Sequence, residues 1–126
     1  MRKILLADDD KSLLEYILNF ISKDDRDNVD LAETAEKAIE MIRKNKYDKA
    51  VIDLNFIGED LTGFDILEEA KIKCIPERIV FTSVSNQMNL FDSGATAAFR
   101  KPLSSKKIAN FLITDDYDLL KEDEIF

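Results

Sequence analysis

The feature that most constrains this chain is an alternation. Short apolar runs, each closed by a polar residue, are separated by longer stretches whose apolar residues recur every three or four positions. The runs are Ile4-Leu5-Leu6-Ala7 before Asp8, Ala50-Val51-Ile52 before Asp53, Ile79-Val80-Phe81 before Thr82, and Ala97-Ala98-Phe99 before Arg100. A weaker strand is expected near Asn28 to Leu31. The first three runs are apolar on both faces, as strands buried between two helical layers must be. Between them, Leu13, Leu14, Ile17 and Ile21 trace one amphipathic helix, and Ala35, Ala38, Ile39 and Ile42 trace another. Thr62, with Asp65 three residues on, resembles a capping box and marks the start of a third helix that turns Leu67 and Ala70 inward. A short fourth helix is expected from Gln87 to Ser93, and a fifth after Pro102 with Ile108, Phe111 and Leu112 on its inner face. Strands alternating with helices in this way specify an α/β protein built on a parallel sheet.

Composition narrows the chemistry. A chain of 126 residues with 45% hydrophobic residues is the size of one domain with a real core. Its formal net charge of -8 opposes nonspecific attraction to nucleic acid or to an anionic membrane. The absence of histidine removes the commonest general base and metal ligand, so chemistry must rest on carboxylates, hydroxyls and lysines. The single cysteine, Cys74, excludes an internal disulfide and is expected to be a small buried or half-buried residue; the aromatic residues are expected in the core. No segment is long and apolar enough to span a bilayer and no signal peptide is evident, so the expected location is the cytoplasm.

In an open parallel sheet, ligands bind beyond the carboxyl ends of the strands. Right-handed crossovers bring Asp8, Asp9, Asp53, Thr82 and Lys101 to that one edge. Three converging carboxylates make an oxygen-rich site for a hard divalent cation such as Mg²⁺. A hydroxyl and an ammonium beside them suit the oxygens of a phosphoryl group. An aspartate directly after a buried run is costly unless it is paired or metal-bound, which favours a functional reading of Asp53, Asp8 and Asp9. Asp10 differs: it is placed to cap the helix starting at Lys11, accepting from the amide of Ser12 or Leu13. Ser83 competes with Thr82 for the hydroxyl role, and Lys101 stands out from other lysines only by preceding Pro102.

Taken in order, ILLADDD, VIDLN, IVFTS, Ser93-Gly94-Ala95 and Arg100-Lys101-Pro102 resemble the motifs of response-regulator receiver domains, the phosphoacceptors of two-component signalling. The resemblance runs from about Lys3 to the helix after Pro102. It implies a (βα)5 flavodoxin-like, doubly wound five-stranded parallel sheet of strand order 2-1-3-4-5. It implies that Asp53 takes a phosphoryl group from a phosphohistidine on a sensor histidine kinase or histidine phosphotransfer protein, and that Asp8, Asp9, Asp53 and the backbone carbonyl of Asn55 hold Mg²⁺. Thr82 would bond a phosphoryl oxygen and Lys101 would pair with the acyl phosphate, its bond to Pro102 being cis. Such a protein is a signalling domain rather than an enzyme, and its signal would leave by contact with a downstream protein target. The expected division is a receiver domain over residues 1–113 and an acidic tail or helix extension over 114–126, which could extend the last helix, fray or pack on a neighbour and is read as a partly ordered end.

Three positions depart from the family pattern. Phe56-Ile57 replaces a usual Met-Pro pair and Gly63 comes about two residues late; the stretch from Thr82 to Gly94 is about one helical turn short; and Ala98 stands where an aromatic residue is usual. The last two favour a rival reading, a pseudo-receiver that binds partners without phosphorylation, which the intact acidic set and lysine oppose. A second rival rests on Asp8-Asp9-Asp10-Lys11-Ser12, which resembles the D-x-D-x-S nucleophile motif of haloacid-dehalogenase-type phosphatases, with Asp8 as nucleophile. That reading leaves the Asp53 strand unexplained.

Overall fold

The computed structural model describes residues 3–54, 61–83 and 90–125. Each apolar run forms a strand: β1 (Ile4–Ala7), β2 (Val29–Ala32), β3 (Lys49–Asp53), β4 (Glu77–Thr82) and β5 (Ala97–Arg100). All four pairings are parallel, and the order is β2-β1-β3-β4-β5. The reversal of winding on either side of β1 and β3 makes this a doubly wound sheet, with the crevice for a ligand at the carboxyl ends of those two strands.

The helices are α1 (Lys11–Asn19), a single turn α2 (Lys23–Arg26), α3 (Ala35–Lys44), α4 (Gly63–Ile72) and α5 (Ser105–Thr114). Alternate strand residues feed two separate layers. Leu5, Ala7, Ala50, Ile52 and Val80 pack with Ala38, Ile42 and Leu67 of α3 and α4. Ile4, Leu6, Val51, Ile79 and Phe81 pack with Leu14, Ile17, Ile108 and Phe111 of α1 and α5. At about 25 cal/mol per Å² of apolar area removed from water, these two layers dominate the free energy that opposes chain entropy. Helix starts are set by side chains. Asp10 Oδ1 accepts from Leu13 N at 3.1 Å, Thr34 Oγ1 from Lys37 N at 3.0 Å, and Ser104 Oγ from Lys107 N at 3.1 Å. At α4, Thr62 N donates to Asp65 Oδ2 at 2.7 Å, the returning half of the expected capping box.

Four expectations are corrected. The helix expected over Gln87 to Ser93 is absent from its described part: residues 90–94 form turns, closed by Gly94 N donating to Phe91 O and Ala95 N to Leu90 O. Gly94 sits at φ 117°, which ends any helical continuation, and its carbonyl is held by Arg78 Nε. Residues 87–89 lie outside the described residues. Cys74 is exposed, because it takes a left-handed turn (φ 57°) after α4 while Ile75, bonded through its N–H to Ala70 O, occupies the buried position. Tyr16 on α1, Phe20 just after it, Phe64 on α4 and Phe91 in the 90–94 turn are also exposed. The segment after α5, read as a partly ordered end, instead forms a 3-10 helix (Tyr117–Asp123) that buries Leu120, with Ile125 buried beyond it. Its apolar residues pack on β5 and α5, the alternative that the sequence left open without saying which neighbour would serve.

Candidate functional site

Asp53 ends β3 at the centre of the sheet, where Asp53 and Phe81 pair in register and Leu54 N donates to Phe81 O at 3.1 Å. Asp8 follows β1, anchored by its own N–H to Ala32 O. Both are buried, at 3% and 4% exposure, while Asp9 is more exposed. Carboxylate oxygens of Asp8, Asp9 and Asp53 lie within 4.8 Å of one another. Lys101, one residue past β5, places Nζ 3.0 Å from Asp53 Oδ1 and 3.8 Å from Asp8. Its bond to Pro102 is cis. Thr82 ends β4 at 1% exposure, opposite Arg100, and its carbonyl accepts from Lys101 N at 2.9 Å. Ser83, its rival, is exposed. The ends of β3, β4 and β5 are thus tied together by backbone bonds around one pocket.

The electrostatics of that pocket are unbalanced. Among the described residues three carboxylates face one lysine, and Asp8 responds: burial, its largest cause, pushes the carboxyl from 3.8 up to about 7, and the neighbouring Asp53 charge adds to the rise. The Asp10 N–H, donating to Asp8 Oδ1 at 2.9 Å, and the Lys101 charge oppose it. Oxygen donors alone, two of them buried and short of positive charge, suit a hard divalent cation. Mg²⁺ fits this donor set.

Asp8, Asp9, Asp53 and Lys101 are brought together as expected, with Thr82 on the adjoining strand end; Asn55 lies outside the described residues. Asp10 turns away, exposed, to cap α1. Gly63 was not expected to matter here, yet a side chain on it would meet Asp53 O and Leu54 Cα, both at 2.6 Å. The first turn of α4 presses against the backbone carrying Asp53, which only glycine permits, and its lateness in the chain was the one available sign.

The fold and site together define a doubly wound α/β domain with an acidic pocket and a lysine at the switch point of its parallel sheet. The chain belongs to the response regulator receiver domain family, which it matches over residues 4–113. It is 28% identical over 109 residues, 84% of this chain, to the transcriptional regulatory protein YvrH of Bacillus subtilis (strain 168), and spans 45% of that protein's length. A CheY-like response regulator receiver domain protein from Methanospirillum hungatei JF-1 shares the fold with a TM-score of 0.75 at 22% identity, covering 97% of this chain and 98% of that one. The receiver domain of the Francisella response regulator 1452 is 26% identical, with a TM-score of 0.68 over 97% and 98% of the two chains. Among the described residues no helix is long and apolar enough to cross a membrane.

Proposed function

We propose that this domain receives a phosphoryl group on Asp53 from a phosphohistidine of a sensor histidine kinase or histidine phosphotransfer protein, and signals by contact with a downstream protein. The observation that carries this reading is the placement of Lys101 Nζ 3.0 Å from Asp53 Oδ1 in a pocket shared with Asp8 and Asp9. An Asp53 carboxylate oxygen attacks phosphorus as the donor P–N bond breaks, and the donor imidazole leaves with the electron pair. Lys101 holds Asp53 in place and neutralises charge on the acyl phosphate; the Thr82 hydroxyl is positioned to donate to a phosphoryl oxygen. Mg²⁺, held by Asp8, Asp9, Asp53 and the Asn55 carbonyl, would supply the positive charge that the transferring oxygens need. On this reading the domain acts in the cytoplasm.

The phosphatase reading is not favoured. Its motif needs Asp10 beside Asp8, but the Asp10 carboxylate is occupied at Leu13 N, and the carboxylates that join Asp8 are Asp9 and Asp53. Incubation with Mg²⁺ and a small acyl phosphate, followed by mapping of the modified residue, tests all three readings. Label on Asp53 is expected and is lost in Asp53→Asn. Label on Asp8, or turnover of a phosphomonoester, would restore the phosphatase; no label on a folded protein would leave a pseudo-receiver.

A further inference from the structure

Beyond α5 the chain turns sharply and wraps the outer edge of the sheet. Asp115 closes the helix in a left-handed conformation (φ 57°), and its carboxylate pairs with the fully buried Lys49 of β3. Tyr117 then lays its ring against Phe111 at 5.1 Å and Phe99 at 6.3 Å, and donates its hydroxyl to Glu77 Oε1 at 2.6 Å. Leu120 is buried in the layer of α1 and α5, but Ile125 is buried in the opposite layer, with Ala98. The segment therefore crosses from one face of the sheet to the other around β5, where Ile125 N donates to Ala98 O at 2.8 Å and Glu124 bridges Phe99 antiparallel.

The same ring cluster includes residues of the strand ends that carry the pocket. Phe99 packs edge-on against Phe81 at 6.2 Å and Phe111 at 5.9 Å. Phe81 is the residue before Thr82 and the register partner of Asp53; Phe99 lies two residues before Lys101. A group on Asp53 that draws Thr82 and Lys101 toward itself must shift the strand ends that carry Phe81 and Phe99. Close-packed rings have no slack to absorb that shift. The element at the far end is a short 3-10 helix in which Asp118, Lys121 and Glu122 are exposed, anchored by Tyr117, Leu120 and, just beyond it, Ile125.

We propose that residues 116–125 are a strap seated on the edge of β5 when Asp53 is unmodified, and that occupancy of the Asp53 pocket unseats it through Phe81, Phe99, Phe111 and Tyr117. The inference rests on the phosphoacceptor reading, and its output is the strap itself. Asp115, fixed by Lys49, is the point from which the strap swings.

Amide hydrogen exchange on the full chain, with and without Mg²⁺ and a small acyl phosphate, reads both claims separately. Intact mass reports the aspartyl phosphate; exchange at 117–125 reports the strap. Exchange there is expected to rise about tenfold on phosphorylation while β1 and β3 stay protected. Label without a rise overturns the strap and leaves the acceptor standing; no label overturns the acceptor and the strap with it. Coupling is reciprocal, so loosening the strap must favour the occupied pocket. Leu120→Ala is expected to bind beryllofluoride with Mg²⁺ about fivefold more tightly, and unchanged affinity counts against the proposal. Glu77→Gln, which removes only the charged partner of the Tyr117 hydroxyl, carries the same test if Leu120→Ala does not fold.

Discussion

Asp8 carries the clearest consequence of burial at a single residue. With its carboxyl raised from 3.8 to about 7, the folded protein holds a proton that the unfolded chain has released. Its contribution to stability is therefore full below the unfolded value and is lost as pH rises through about 7. The metal-free protein is expected to melt lower at about pH 8 than at about pH 6 on this account, and Asp8→Asn, whose Oδ1 keeps the Asp10 N–H bond, should flatten that slope in thermal scans. A steeper fall in the variant than in the wild type would show that another group sets it. Lys49 poses the opposite problem, a fully buried ammonium whose partner Asp115 is 26% exposed. Asp115→Asn removes the negative charge opposite that ammonium and is expected to cost about 3 kcal/mol in urea unfolding. Lys49→Met keeps the packing on Phe111 and leaves Asp115 to reach water, so it should cost about 1 kcal/mol. An equal cost for both would mean the ion pair is not what holds Lys49. Neither residue was legible in advance: nothing local marks Lys49, because its partner Asp115 is supplied by a turn at the far end of α5.

At the scale of elements, what could be read was whatever repeats locally. Apolar runs of three or four residues announced four of the five strands, β2 with its inserted Asp30 being the weaker signal, while three-to-four spacing and, for α4, a capping box announced α1, α3, α4 and α5. Elements too short to show a period were missed, the single turn α2 and the 3-10 helix among them, and one expected helix proved in its described part to be turns. The site was legible for a related reason: each of its residues lies one or two positions past an apolar run, so topology alone gathers them. Gly63, Arg78 and the ring cluster were not, because their roles depend on contacts between distant segments. The division of labour within Asp8-Asp9-Asp10 can be tested at this level. Asp10→Ala removes the α1 cap and is expected to lower stability by about 1 kcal/mol while leaving label on Asp53 intact under Mg²⁺ and acyl phosphate. Loss of labelling out of proportion to the loss of fold would place Asp10 in the chemistry and revive the D-x-D-x-S reading.

For the whole molecule, the net charge of -8 and the acidic pocket predict two different responses to cations. Self-repulsion spread over the surface is screened by any salt, so raising monovalent salt should stabilise the wild type, Asp8→Asn and Asp53→Asn alike. The pocket is specific: at constant ionic strength, a ligand that binds only the folded state adds RT ln(1 + [L]/Kd), about 1.4 kcal/mol at tenfold excess over Kd. Mg²⁺ is therefore expected to raise the melting temperature of the wild type, and to do so less in either variant, because each removes one of the converging carboxylates. Monovalent salt serves as the internal control, since it acts on the same net charge without needing the pocket. If Mg²⁺ stabilised all three proteins equally, its effect would be surface screening, and the three carboxylates would have to be explained by Lys101 alone.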